Sequence, residues 1–111
     1  MACPANLTNC PDSVTVTISG TSCSLGLDGN YSLRKFNPHP AHGYCWLWGS
    51  PTKMVKLYCL NDKWIVYAGD LQYANYVTWE KANTACPDTG SYTLASASGC
   101  QKQGSCSVST S

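Results

Sequence analysis

The chain is short of charge. Asp, Glu, Lys and Arg make up 12% of its 111 residues, about half the roughly 25% of an ordinary soluble domain. The net charge is +1, with no basic run and no acidic tail. Binding nucleic acid by neutralising phosphates needs clustered Lys and Arg, so nucleic acid is not an expected partner. No apolar run approaches the roughly 18–20 residues of a membrane-spanning helix. The longest, "WIVYA", suits a strand, and a membrane is not an expected partner either. No linker or low-complexity stretch divides the chain. One domain spanning 1–111 is expected.

Catalytic constellations are also missing. Glycosidase-type acid/base chemistry needs two carboxylates in opposed environments. Asp12, Asp28, Asp62, Asp70 and Asp88 all sit in turn contexts that account for them. Glu80, the one glutamate, has no carboxylate partner in the sequence. No Gly-x-Ser-x-Gly elbow occurs. His39 and His42, in "NPHPAHG", read as exposed loop residues. The closest cysteine pairs are wider than the Cys-x2–4-Cys knuckle of structural zinc. The expectation is a non-enzymatic protein without metal or cofactor.

Cysteine is the abundant exception. Eight cysteines in a short domain read as a disulfide framework, which belongs in an oxidising environment. The opening "MACPANLTNCPD" has two prolines, no Lys or Arg and no apolar core, so it does not read as a signal peptide. A removed leader, reduced or metal-bound cysteines, or assembly inside a cell followed by release would each reconcile these facts. The third needs no missing segment and places the protein in a virion, extracellular after lysis. The first makes it a secreted protein.

Two of the cysteine segments are near copies: "CPDSVTVTISGTSC" from Cys10 to Cys23, and "CPDTGSYTLASASGC" from Cys86 to Cys100. Each brackets a strand-like stretch. Six residues of strand span about 20 Å, whereas disulfide-bonded Cα atoms lie within about 7 Å. Each segment is therefore expected to be one strand clamped at both ends to other parts of the molecule. Hairpin proximity suggests Cys3–Cys10, Cys45–Cys59 and Cys100–Cys106, leaving Cys23–Cys86.

Strand patterns dominate the rest. "SVTVTIS" alternates β-branched apolar and polar residues. Asp28-Gly29 lies between apolar runs, the signal of a type I′ hairpin. "GSPTK", "LNDKW" and "GCQKQGSC" mark further reversals. "YVTWEKA" is consistent with a strand or a short helix. The C-terminal "SVSTS" fits a frayed tail or a last strand, in its own sheet or added to a neighbour's. The expected fold is all-β: a compact antiparallel sandwich or small barrel of about seven or eight short strands, stapled by disulfides.

Trp46 and Trp48 are two apart and share a strand face. Exposed, they would form a platform for sugar rings; buried, they are core or subunit interface. Together these features point to a structural protein of a virus particle. A capsid decoration (cement) protein or small fibre or tail component of a tailed phage is expected, contacting copies of itself or a major structural protein. The alternatives are a secreted carbohydrate-binding module or a subunit of an extracellular filament.

Overall fold

The computed structural model describes residues 7–24, 26–39 and 43–110, with backbone alone for 37–39 and 43–45. Eight strands follow in chain order: β1 (Ser13–Ser19), β2 (Gly29–His39), β3 (Gly43–Gly49), β4 (Lys53–Leu60), β5 (Lys63–Asp70), β6 (Tyr76–Ala82), β7 (Gly90–Ser98) and β8 (Ser105–Thr110). Each pairs antiparallel with the next, and β8 pairs with β1, closing an up-and-down barrel. Of the two expected all-β architectures, the barrel forms. The C-terminal segment is its last strand.

Period-two patterning decides which side chains enter the barrel. In β1, Val14, Val16 and Ile18 are buried while Thr17 and Ser19 face solvent. The ambiguous "YVTWEKA" is β6, with Val77 and Trp79 fully buried. Trp46, Trp64 and Trp79 fill much of the interior. Each indole N–H donates to a loop carbonyl: Pro11 at 2.9 Å, Thr84 at 3.1 Å and Gly104 at 3.2 Å. A buried indole needs such an acceptor, so the three tryptophans anchor loops as well as fill space.

Each end of the barrel is plugged by a loop. At one end Leu7 and Cys10 are buried, and Lys35 donates to the carbonyls of Leu7 (3.1 Å) and Cys10 (3.0 Å). At the other, Leu27 and Cys23 are buried, and Lys53 donates to the Gly26 carbonyl at 2.9 Å. This second plug replaces the expected Asp28-Gly29 hairpin. The apolar Leu27 is taken into the barrel mouth, where burial outweighs continuing a strand. Asp28 then fastens the loop, accepting the backbone N–H groups of Gly20 and Thr21, both at 3.0 Å. Type I′-like geometry occurs instead at Asn61 and Asp62, with φ of 53° and 64°, between β4 and β5.

The cysteine pairing also departs from expectation. Cys10 bonds Cys86 and Cys23 bonds Cys100, in place of Cys3–Cys10, Cys23–Cys86 and Cys100–Cys106. Cys106 is free and buried. Proximity in sequence misled here because closure of the barrel sets the geometry. Strands β1 and β7 both run antiparallel to the intervening β8, so they are parallel to each other and their corresponding ends meet. Cys106 lies within β8, in register with Ile18 and Tyr92, and faces the core rather than the loop that carries Cys100. The expected Cys45–Cys59 pair involves the Cys45 side chain, which lies outside the described residues, as does Cys3. Cys59 is itself disulfide-bonded.

Candidate functional site: a tyrosine face on the outer wall

The outer wall is chemically divided. On β8, β1 and β2 the outward positions include Ser109, Thr17, Ser19 and Ser32, all exposed. On the far side, β4, β5 and β6 turn aromatic side chains outward: Tyr58, Tyr67 and Tyr76, with Ile65 between them. The sequence signal was the unbroken apolar run in β5. Trp64, Val66 and Ala68 take the interior, so Ile65 and Tyr67 must lie on the outer surface, where a simple barrel would carry polar residues.

These tyrosines are held firmly. Tyr67 and Tyr76 stack with centroids 5.2 Å apart and planes 25° apart. Gly69, opposite Tyr76 in the ladder, makes this possible. A Cβ there would come within 2.5 Å of the Tyr67 ring, so the ring lies directly over the glycine. Lys56, opposite Tyr67 in β5, sits 5.0 Å from the Tyr67 centroid and 5.1 Å from that of Tyr58. Burial, and then the nearby Tyr67 and Tyr76, raise the Tyr58 hydroxyl above its usual pKa. Burial, then Tyr76, does the same to Tyr67. Both therefore remain neutral phenols well into the alkaline range.

A groove of about 590 Å³ runs between these rings. Its polar side comes from Thr78 and Ser96, whose hydroxyls are 2.6 Å apart, and from Glu80, which pairs with Lys63 at 2.8 Å. A β-bulge shapes this side. Thr78 is opposite Ser96 but Trp79 is opposite Leu94, so Ala95 is an extra residue, and its small side chain lines the groove. Bulges commonly re-aim side chains beside functional sites. Glu80 also borders a smaller groove of about 290 Å³ with Lys63, Lys81 and Thr93.

The aromatics singled out from sequence lie elsewhere. Trp46 is fully buried and meets Trp64 edge-on at 5.9 Å. Trp48 is half-buried against the core and contacts Tyr31 edge-on at 4.8 Å. They share a face, but that face is the interior, and neither offers an open ring. His39 and His42 lie outside the described side chains. Asp12, Asp28, Asp62, Asp70 and Asp88 are at strand ends or turns. In Asp70, Oδ1 accepts the N–H groups of Gln72 (2.8 Å) and Tyr73 (3.2 Å). Comparison with protein-family models, with curated proteins and with solved structures finds no match to this chain.

Proposed function

We propose that this protein is a non-enzymatic structural component of a virus particle: a capsid decoration protein, or a small fibre or tail component, of a tailed phage. The observation that carries the reading is the double clamp. Two disulfides tie β1 to β7 at both ends of a barrel whose interior is filled by side chains. Such a body gives up an internal ligand cavity in favour of durability, and its contacts with other molecules fall on its outer wall. Disulfides persist in oxidising surroundings, which suits a particle released from its host. Small components of this kind work as symmetric arrays of identical copies.

The test is peptide mass spectrometry on density-banded particles from the source material. The reading expects the chain in the particle band, in fixed ratio to a capsid or tail protein. Recovery in the particle-free fraction alone overturns it.

A further inference from the structure

We propose that the tyrosine groove on the outer wall binds a neutral oligosaccharide, a pyranose ring stacking on Tyr76, which Tyr67 backs, and its hydroxyls bonding to Glu80, Thr78 and Ser96. This does not rest on the virion reading and applies equally to a secreted protein.

The lining selects the ligand. A pyranose has an apolar face of C–H groups and an equator of hydroxyls. It is matched by an aromatic face with hydrogen-bonding groups at its edge. The groove supplies both. Its aromatic wall is preorganised, because Gly69 beneath Tyr67 and Lys56 above it leave the ring little freedom, and a rigid wall loses less entropy on binding. At the other side, the Thr78–Ser96 hydroxyl pair and the Glu80 carboxylate provide donors and acceptors. Charge argues for a neutral sugar: Glu80 is already paired by Lys63, and Lys56 is engaged with two rings. The smaller groove beyond Glu80 extends the site along the wall, which favours a chain of sugars over one ring.

The groove is also not required by the fold. The core is complete on the inward face, and the outer wall on the β1 side is hydroxyl-rich. An aromatic cluster braced by a glycine and widened by a bulge has no counterpart there.

The experiment uses the oxidised full chain, titrated calorimetrically with short neutral gluco-, manno-, galacto- and N-acetylglucosamine oligosaccharides. A proline-rich peptide serves as the protein-ligand control. Binding of at least one oligosaccharide is expected, weakened about tenfold by Tyr76→Ala and several-fold by Glu80→Gln. Ser96→Trp, at an exposed position, should block the groove without touching the core. Near-ultraviolet dichroism of the buried tryptophans reports whether each variant is folded. Three outcomes overturn the proposal: no binding to any of these sugars, sugar binding that survives Ser96→Trp in folded protein, or binding of the peptide in place of sugar.

Discussion

Cys10 is bonded to Cys86, and so the first cysteine of one Cys-Pro-Asp segment is joined to the first cysteine of the other, 76 residues later. The last cysteines, Cys23 and Cys100, are joined in the same way. The weakest ladder lies between these bridges. Strand β7 pairs with β8 over Gly90–Tyr92 alone, while β1 follows β8 over its whole length. The repeated segment is thus a pair of staples across the seam at which the barrel closes.

Removing either bridge should destabilise the closed barrel. Replacing Cys10 and Cys86 together by Ala, or Cys23 and Cys100 together, is expected to cost about 2–4 kcal/mol in urea unfolding. Hydrogen exchange should locate the loosening: residues 7–12 in the first variant, 20–28 in the second. Equal protection of both loops in both variants would contradict the one-staple-per-plug arrangement.

Cys106 should be silent in the native state. Burial pushes its thiol up to about 12 from 9.0, and the thiolate is the reactive form. A thiol reagent at mildly alkaline pH should label it only after denaturation. The same shift makes stability fall with rising pH. Between pH 9 and about 12 the unfolded chain loses this proton while the folded chain keeps it. Tyr92, raised by burial and then by Asp88, adds to the loss in the same direction. Cys106→Ala should flatten the pH dependence of the urea midpoint above pH 9, leaving the contributions of Tyr92, Tyr58 and Tyr67.

Asp28 gives the opposite dependence. Its carboxyl is held below 3.8, first by the Thr21 hydroxyl and also by the backbone N–H groups of Thr21 and Gly20, against a smaller opposing effect of burial. Its contribution is therefore present above pH 3.8 and disappears as the pH falls through the lowered value. Asp28→Asn should be less stable than the parent at neutral pH. The difference should narrow in acid, read from urea midpoints. A constant difference across that range would show that the ionised carboxylate is not what holds the loop.

Gly69→Ala tests the tyrosine wall. The new methyl meets the Tyr67 ring, which must swing off Tyr76. A loss of about 1–3 kcal/mol is expected, the usual cost of overpacking. The change in near-ultraviolet dichroism should be confined to tyrosine, since Trp46, Trp64 and Trp79 lie on the inner face.

Much of the fold was legible from local pattern. The alternation in "SVTVTIS" is β1, residue for residue, because inward and outward positions of a strand differ every second residue. The turns at "GSPTK" and "LNDKW" were readable from their residue chemistry. The Asp28-Gly29 hairpin was misread because Leu27 had two apolar destinations, a strand face or the barrel mouth, and local pattern cannot rank them. Trp46 and Trp48 were correctly placed on one face, but which face was inward depended on strands distant in sequence. The tyrosine groove was missed for a related reason. Tyr58, Tyr67 and Tyr76 lie on three different strands, and nothing in the linear order says that their outward faces adjoin.

The sequence by itself determined that this protein is a small all-β domain with strands at nearly every place it adopts them, because strand and turn preferences act over a few residues. It also weighed against bonding Cys10 to Cys23, and less strongly against bonding Cys86 to Cys100, since an extended strand separates each pair. Only the tertiary structure decided which cysteines meet, which tryptophans are core and where the tyrosines gather. Closing the barrel, with β8 seated between β1 and β7, brings the corresponding cysteines together and turns the tryptophan face inward, while the pairing of β4 with β5 and of β5 with β6 sets the tyrosines side by side.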